Sequence, residues 1–205
     1  MPAERIAVLD FETTGLAPAQ GARATEIGVA MLEGGRIVGR YQSLMNSGVR
    51  VPPFIEQLTG ISNAMLRDAP PAAQVMHEVA DFVGDAPLLA HNASFDQKFW
   101  DAELALVGRQ RRQPFACSLL LARRLLPQAP SHKLGVLNRW ARLPDTGQAH
   151  RALADAEMAA NLLGFMATLL RERHGIPRVS HELLCRLQKV PAAKIGLALL
   201  QVREA

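Results

Sequence analysis

Two acidic residues, Asp10 and Glu12, interrupt an apolar run near the start of the chain. The run Ile6-Ala-Val-Leu-Asp10-Phe-Glu12 ends in Thr-Thr-Gly15, and short apolar runs bounded by turn residues are typical of buried strands. Side chains alternate across a strand, so the two carboxylates point to the same side, where burial would strengthen their repulsion. Mg²⁺ or Mn²⁺ would relieve that conflict by taking carboxylate oxygens as ligands. The pair alone fits equally well a strand end whose acids face water.

Three further residues that could take part in chemistry stand where helices begin. Asp96 lies in the first turn of a predicted helix that directly follows a short predicted strand, and there the helix dipole favours an anion. Asp155 lies in the first turns of the longest predicted helix, and His150 stands just ahead of that helix. Each of them alone is explained as a helix N-terminal acid, an exposed acid, or a surface or capping histidine. Their joint occurrence with Asp10 and Glu12 favours a single site.

The elements that would position these residues follow a mixed pattern along the chain. Strands are predicted in the run that begins at residue 6 and at 25–32, 36–44, 87–90 and 115–117. Gly34-Gly35 is a hairpin signal between the second and third of them. Helices are predicted at 54–58, after Pro70-Pro71, from about 94 to 106, from 118 to 126, and at 134–143 and 151–173. This order predicts an α/β fold with a mixed five-stranded sheet and helices on both faces.

Three segments resemble the motifs of the DEDDh-type 3′–5′ exonucleases, a family that includes the epsilon proofreading subunit of bacterial DNA polymerase III. They are Asp10-Phe-Glu12-Thr-Thr-Gly15, Asn92-Ala-Ser-Phe95-Asp96 and His150-Arg-Ala152-Leu-Ala-Asp155, in the family's order and spacing. Leu58-Thr-Gly60-Ile61 and His132-Lys-Leu134 match two auxiliary features of the family. The resemblance covers roughly residues 5–170 and implies a ribonuclease-H-like sheet whose first three strands are antiparallel.

The same resemblance implies a metal-dependent nuclease site that uses two Mg²⁺ or Mn²⁺ ions. Asp10, Glu12 and Asp155 would hold the first ion, and Asp10 would also bridge to the second. Asp96 would act partly through bound water, and His150 would be the general base. These roles suit the reaction, because phosphodiester hydrolysis needs an activated water and neutralisation of the charge that develops in line.

Five residues are expected to contact the substrate: Thr13, Leu16, Phe54, Leu58 and Asn92. Thr13 and Leu16 follow the first motif and would meet the terminal nucleotide through backbone N–H groups and an apolar edge. Phe54 and Leu58 would pack against or wedge the terminal base, or would equally well be ordinary core residues. Asn92 fits a helix cap better than a ligand contact.

Composition adds weaker evidence about the partner. The formal net charge is +4 and only four basic residues are lysines, which suits a polyanion but is also what arginine-rich codon usage gives. Arginines cluster at 109–112, 123–124 and 139–142, and each cluster is either a phosphate contact or a solvated helix face. Two Trp and one Tyr are too few for an extended base-stacking platform, which favours recognition of a few terminal nucleotides.

The sequence also predicts domain limits and a compartment. Residues 1–175 are expected to form the exonuclease domain, and 176–205 a C-terminal helical tail after Gly175-Ile-Pro177. Cys117 and Cys185 have neither metal-ligand nor disulfide spacing, which indicates reduced thiols. No signal-peptide pattern and no apolar run of membrane-spanning length is apparent, so the cytoplasm is expected.

The leading hypothesis is therefore an exonuclease that removes nucleotides from the 3′ ends of single-stranded DNA, either free or attached to a DNA polymerase as a proofreading subunit. Trimming of RNA ends would use the same catalytic residues, so it stays an alternative. A catalytically silent nucleic-acid-binding module on the same fold is a third reading. The intact set of acids argues against it, since such a module has no reason to keep them.

Overall fold

The computed structural model describes residues 4–147 and 150–204, and within these ranges it contains five strands and nine α-helices. The strands are β1 (Arg5–Thr13), β2 (Ala24–Glu33), β3 (Arg36–Leu44), β4 (Leu88–Ala90) and β5 (Phe115–Cys117). The helices are α1 (Pro53–Thr59), α2 (Asn63–Arg67), α3 (Ala72–Val83), α4 (Ser94–Leu106), α5 (Ser118–Leu125), α6 (Leu134–Trp140), α7 (Ala152–His174), α8 (His181–Leu187) and α9 (Ile195–Glu204). The outer limits of the predicted domains, residues 1 and 205, lie outside the described residues.

The strands form one mixed sheet in the order β3-β2-β1-β4-β5. β1 pairs antiparallel with β2, and β2 antiparallel with β3, while β4 and β5 continue the sheet parallel to β1. Gly34 and Gly35 join β2 to β3 with φ angles of 59° and 83°, the positive values that a tight two-residue hairpin requires. The predicted mixed sheet with three antiparallel strands first is confirmed.

Alternating side chains of the central strand supply both layers of the core. Ala7, Leu9 and Phe11 of β1 pack in a cluster with α3 and α4, whereas Ile6 and Val8 pack in a cluster with α7. β1 is therefore buried on both faces, as expected of a strand flanked by parallel and antiparallel neighbours with helices on each side. Polar side chains of β1 are therefore exposed only at its two ends, at Arg5 and at the carboxyl end.

The long helix α7 crosses β1 and β2 at very short distance. Gly28 of β2 makes this possible, because a Cβ atom there would overlap the backbone of Ala152 and Leu153 at the start of α7. Ala156 and Ala159, both buried, continue the small-residue contact along the helix. The close approach brings the first turns of α7 to the end of the sheet where β1 carries its carboxylates.

α7 is also long and apolar enough to cross a membrane, which the sequence expectation did not allow for. Half of its most apolar stretch is buried inside the protein. Leu162, Leu163, Met166 and Leu170 are among its residues in the core next to the sheet. The length and apolar composition of α7 are thus explained by its place in the core of this fold.

The C-terminal segment covers the open edge of β5. The Gln188 side chain accepts a hydrogen bond from Cys117 N at 2.6 Å and donates one to Phe115 O at 3.2 Å, in place of a further strand. Three leucines of α8 are buried in the same core as α7: Leu183, Leu184 and Leu187. The boundary at residue 175 stays a prediction, and α8 packs directly against the sheet.

Both ends of the described chain are held on the same side of the fold. The backbone N–H of His181 donates to Glu4 Oε2 at 2.7 Å, just ahead of β1. The side chain of Arg203 lies beside Gly175, where α7 ends. This side of the molecule is opposite the sheet edge at which β1 carries Asp10 and Glu12.

Candidate active site

The acid pair of β1 lies at the carboxyl end of the strand and is only partly buried. Asp10 and Glu12 point to one side, with the buried Phe11 between them facing the other. Asp96 joins them from α4, because its Oδ1 accepts a hydrogen bond from Phe11 N at 3.1 Å. Asp96 is only 2% exposed, so this bond partly compensates the carboxylate for the water it has lost. α4 thus brings a third carboxylate against the strand.

The start of α7 contributes the remaining two predicted residues. His150 N donates to Asp155 Oδ2 at 3.2 Å, which ties the residue before the helix to its first turn. One donor atom each of Glu12, His150 and Asp155 lie within 4.8 Å of one another. His150 is exposed and has a φ of 60°, a left-handed backbone conformation that is uncommon outside glycine. The structure therefore brings four carboxylates and one imidazole to a single edge of the sheet.

Burial and mutual repulsion make the charged form of the strand acids costly. Burial raises the pKa of Asp10 well above its usual range, and the nearby carboxylates of Asp96 and Asp155 raise it further. Burial, followed by the charge of Asp155, raises the pKa of Glu12 to about 8. In the absence of a counter-charge, burial and repulsion therefore favour the protonated form of both strand acids.

The two helix acids show the same conflict. Burial raises the pKa of Asp96 to about 8, although the hydrogen bond from Phe11 N lowers it in part. Burial also raises the pKa of Asp155, against the lowering effect of the bond from His150 N. All four carboxylates thus carry an unresolved electrostatic cost that a cation would remove.

The donor set fits a hard divalent cation. Carboxylate oxygens are the ligands that Mg²⁺ and Mn²⁺ prefer, and a site of few protein ligands suits Mg²⁺, which keeps several waters. Glu12 and Asp155 are close enough to share an ion, and Asp10 stands beside them on the strand. His150 also lies within ligand distance of this group, so it could serve either as a ligand or as a base.

A buried ion pair that the sequence analysis did not single out fixes the start of α7. Glu26 of β2 is fully buried and pairs in register with Glu12. Its oxygens accept from Arg151 Nη2 at 2.7 Å and Arg151 Nε at 3.1 Å. They also accept from Ala152 N at 3.1 Å and Gln42 Nε2 at 2.8 Å. With four donors on one carboxylate, the segment between His150 and Asp155 is anchored to the sheet.

The sequence does contain a signal for this pair. Glu26 is an acid inside an otherwise apolar strand that is buried on both faces, where a charge persists only if it is paired. Arg151 directly follows His150, one residue ahead of α7. The two residues are distant in sequence, so only the packing of α7 on β2 reveals that they are partners.

The candidate substrate contacts after the first motif differ in exposure. Leu16 is 80% exposed and free to meet a ligand. Thr13 is buried, and its hydroxyl donates to Gly15 O at 2.7 Å, so its side chain stabilises the turn after β1. A ligand contact by Thr13 would therefore involve its backbone.

Phe54 and Leu58 are not core residues. They are 66% and 54% exposed and lie one helical turn apart on α1, so they share a face. α1 follows β3, whose last residue Leu44 pairs with Glu26. Two large apolar side chains thus stand exposed on a helix that shares a hydrophobic cluster with the end of β3.

Asn92 does not cap α4, contrary to the expectation from its position. The residue at the N-cap is Ala93, and no side chain caps this helix end. Asn92 is exposed and has a φ of 68°, a conformation that asparagine tolerates better than most residues. Its carbonyl accepts from Phe95 N at 2.9 Å, so the residue forms the turn that leads from β4 to Asp96.

Comparison with known proteins identifies relatives of this chain. The profile of the RNase_T family, described as exonuclease, matches residues 7–163. A 3′-5′ exonuclease DinG of Bacillus subtilis is 36% identical over 162 residues, which are 77% of this chain and 17% of the relative. A PolC-type DNA polymerase III of Bacillus cereus is 35% identical over 161 residues, 78% of this chain and 11% of the relative. The chain thus spans about a sixth or less of these relatives.

Solved structures share the fold. Exonuclease X, solved in complex with 5′ overhanging duplex DNA, superimposes with a TM-score of 0.69 at 24% identity, covering 89% of this chain and 99% of that one. The nuclease domain of 3′hExo, a DEDDh family member solved with rAMP bound, gives a TM-score of 0.68 at 20% identity, covering 81% and 92%.

Proposed function

Because this chain belongs to the exonuclease family, we propose that it is a metal-dependent 3′–5′ exonuclease that removes nucleotides from the 3′ ends of single-stranded DNA. The observation that carries the proposal is the convergence of four carboxylates and His150 at one edge of the sheet. A buried cluster of acids with raised pKa values destabilises the fold unless a bound cation neutralises the charges. That cost disfavours a catalytically silent binding module.

The proposed roles follow the positions of the acids. Asp10, Glu12 and Asp155 would hold one Mg²⁺ or Mn²⁺ ion, and Asp10 would contribute to a second. Such ions, when bound, neutralise charge on the phosphate and lower the pKa of a bound water. Asp96, fully buried and bonded to Phe11 N, would orient water at the site from the α4 side.

His150 is the proposed general base. Its imidazole is exposed at the mouth of the site, and its backbone is tied to Asp155. In its neutral form an imidazole nitrogen accepts the proton that the attacking water loses. The ion pair of Glu26 with Arg151, the next residue, would keep His150 in place while α7 carries Asp155.

The flanks of the acid cluster would position the end of the strand. Leu16, Phe54 and Leu58 expose apolar surface against which the terminal base would pack. Thr13 would offer its backbone, and Asn92 its exposed amide, to the terminal nucleotide.

DNA is the proposed substrate because a matched relative is a DNA polymerase that contains a related segment. By the same likeness, a polymerase subunit is the proposed partner. RNA is the second candidate, since the same five catalytic residues would cleave it and one structure of this fold holds rAMP. Cys117 and Cys185 are free thiols, which supports a reducing compartment such as the cytoplasm.

The test is digestion of 5′-labelled strands by the purified chain with Mg²⁺ or Mn²⁺. Linear single-stranded DNA with a free 3′-hydroxyl should shorten stepwise and release mononucleotides. A strand with a 3′-phosphate and a circular strand should resist, because the site acts on a free 3′ end. Linear RNA of the same sequence, run in parallel, ranks the two substrate classes.

The matched control is Asp10→Ala, which removes the ligand proposed to serve both ions. It should lose essentially all hydrolysis while keeping the fold, as judged by circular dichroism. Cleavage of the circular strand at the rate of the linear strand would show an endonuclease. Near-normal turnover of Asp10→Ala at any Mg²⁺ concentration would contradict the metal assignment.

A further inference from the structure

The arginine clusters noted in the sequence lie in different electrostatic settings. Arg109 Nη1 lies 2.7 Å from Asp81 Oδ1, and Arg111 Nε lies 2.7 Å from Asp101 Oδ1. The carboxylates beside α3 and α4 match these charges locally. A guanidinium with such a partner has little charge left to offer a phosphate.

Arg123 differs from these residues and from its own neighbour. Arg124 donates to Leu120 O at 2.7 Å and Val190 O at 2.6 Å, so its guanidinium is used in packing. Arg123 and Lys133 are exposed, and within residues 4–147 and 150–204 neither makes an ion pair. Two cations therefore remain available to an anionic ligand.

Arg123 and Lys133 line the same open basin, which has a volume of about 710 Å³. No acidic residue of the described chain lines it. His91 and Asn92, which follow β4, form the side of the basin nearest Asp96. The basin is therefore a positively charged concavity that begins within the second exonuclease motif.

A hydrogen-bonded histidine makes one wall of the basin rigid. His91 Nε2 lies 3.0 Å from His132 O, and since a carbonyl only accepts, Nε2 must carry the hydrogen. His91 Nδ1 then accepts from Ser118 Oγ at 2.9 Å. Burial lowers the pKa of His91 to about 4, so these bonds persist at neutral pH. They join the end of β4 to the start of α5 and to the loop that carries Lys133.

The basin and the acid cluster lie along one edge of the sheet. β1, β4 and β5 are parallel neighbours, so their carboxyl ends meet at the same edge. The acids follow β1, and the basin lies beyond β4 and β5, roughly 5–10 Å further along at ordinary strand spacing. Phe54 and Leu58 lie on the opposite flank, because α1 shares a hydrophobic cluster, through Ile55, with Leu44 at the end of β3. A ligand lying across this edge would touch the apolar pair, the acids and the basin in that order.

We propose that this basin binds the backbone phosphates of the nucleotides that precede the 3′-terminal nucleotide, with Arg123 and Lys133 as the phosphate ligands. The inference rests on the proposed function, because it assumes that a strand end occupies the acid cluster. It adds the direction of the substrate: the terminal base lies toward α1, and the rest of the strand leaves over β4 and β5. Recognition is by phosphate charge, so it is independent of base sequence.

The test is binding without hydrolysis, measured by fluorescence anisotropy in EDTA. The probe is a 5′-fluorescein single strand of about ten nucleotides, titrated at several salt concentrations, with an unlabelled dinucleotide as competitor. Arg123→Ala with Lys133→Ala should weaken binding of the long strand about tenfold at low salt. The slope of log Kd against log salt should become shallower by roughly 0.7 for each cation removed. Competition by the dinucleotide should be unaffected, because it does not reach the basin.

Arg112→Ala is the matched control. Arg112 is exposed like Arg123 but does not line the basin, so this variant should bind both probes as the parent does. Unchanged affinity and salt slope in the double variant would overturn the proposal. An equal loss in Arg112→Ala would overturn it too, by showing that net charge alone holds the strand. Digestion with Mg²⁺, scored separately, decides the nuclease activity, so failure of one proposal does not imply failure of the other.

Discussion

The electrostatic cost of the carboxylates in the site can be seen in the pKa values of single residues. Asp10 and Glu12 have raised pKa values because burial and neighbouring acids oppose ionisation. Glu26, also a carboxylic acid and fully buried, is compensated by Arg151. Two kinds of acid thus sit within one short stretch of sheet, and only the uncompensated kind is free to take a cation.

The first prediction concerns the pH dependence of stability in EDTA. The pKa of Glu12 and of Asp96 is about 8 in the folded chain and ordinary in the unfolded chain, so the folded state binds more protons between these values. The free energy of unfolding should therefore fall as pH rises from about 6.5 to 8, by an amount on the order of 3 kcal/mol for the two groups, and level off above that. Below that range His91, whose pKa is lowered to about 4, acts in the opposite sense. Chemical denaturation at several pH values measures this.

Asp10→Asn tests the cause of that slope. Removing one carboxylate relieves repulsion, so in EDTA the variant should melt at a higher temperature than the parent and with a weaker pH dependence. Saturating Mn²⁺ should flatten the slope of the parent. A parent chain whose stability in EDTA is constant across this range would contradict the electrostatic account.

The second prediction separates His150 from Asp155. His150→Asn is the suitable variant, because asparagine tolerates the left-handed backbone at this position. If His150 is the base, turnover should fall by about 10²–10⁴-fold with little change in Mn²⁺ affinity. Asp155→Asn should lose both turnover and affinity. Calorimetric Mn²⁺ titration beside turnover of both variants measures this.

Either of two results would change the assignment of His150. Loss of Mn²⁺ affinity in His150→Asn would make the imidazole a metal ligand, which its position within 4.8 Å of Glu12 and Asp155 donors permits. Normal turnover would leave the proton transfer to another group or to bulk hydroxide.

Most residues of the site could be predicted from the sequence, and the others could be identified only from the packing of the helices on the sheet. Asp96 and Asp155 stand out because each opens a helix, and the family resemblance built on their motifs is confirmed by the family match. Glu26 and Arg151 could not be paired, since their contact depends on how α7 meets β2. The exposure of Phe54 was likewise undecided, because an apolar residue on a short helix fits core or surface alike.

At the scale of elements, the contact of α7 with β2 decides whether the site assembles. The helix carries Asp155, follows His150, and is held by the pair of Glu26 with Arg151. Gly28 leaves the room for this contact. The site therefore depends on the close approach of the α7 and β2 backbones as much as on its acids.

The third prediction is that Gly28→Ala disturbs the site from a distance. The added methyl would overlap the backbone of Ala152 and Leu153 and push the start of α7 outward. Stability should fall by about 1–3 kcal/mol, as for other overpacked sites. Nuclease activity should fall further, by about 10²-fold, because His150 and Asp155 move with the helix. Thermal melts and initial rates measure the two effects.

Gly39→Ala on β3 is the control for this variant. A Cβ at Gly39 would meet Phe82 at 3.4 Å and Met31 at 3.5 Å, which are ordinary contacts. It should change stability and activity little. Full activity in Gly28→Ala would show that α7 can shift without disturbing the catalytic residues.

Elements with strong local signals were predicted best. β3 begins at Arg36 and ends at Leu44 as expected, because the Gly34-Gly35 turn and alternating residues define it. α2 was not predicted, since five residues offer no periodicity, although Ser62 caps it by accepting from Met65 N at 3.1 Å. α6 ends at Trp140 rather than 143, where Arg142 adopts a left-handed backbone with a φ of 54°.

At the scale of the whole molecule, the C-terminal segment completes the sheet. Without α8 and Gln188, the outer edge of β5 would present unpaired backbone groups to solvent or to another chain. The segment therefore protects the fold from edge-to-edge association, whatever other role it has.

The fourth prediction tests this protection. Gln188→Ala should lower the free energy of unfolding by about 1–3 kcal/mol, because Cys117 N loses its acceptor and Phe115 O keeps only the weak bond from the Cys185 thiol. Gln110→Ala, on an exposed loop, should change it little. A chain that ends at residue 175 should associate at high concentration, which light scattering would detect. A monomeric chain of that length as stable as the parent would show that the edge needs no cover.

The shared location of the two ends bears on how this fold can be joined to other domains. Glu4 meets His181, and Arg203 lies beside Gly175, so the polypeptide enters and leaves on one side. Asp10 and Glu12 stand at the other end of β1, and the seven residue-to-residue steps from Arg5 to Glu12 span roughly 23 Å. If this fold were inserted into a surface loop of a larger protein, the edge that carries Asp10 and Glu12 would therefore face away from the two junctions. In the DinG-type and PolC-type relatives the matched segment is 17% and 11% of the whole protein.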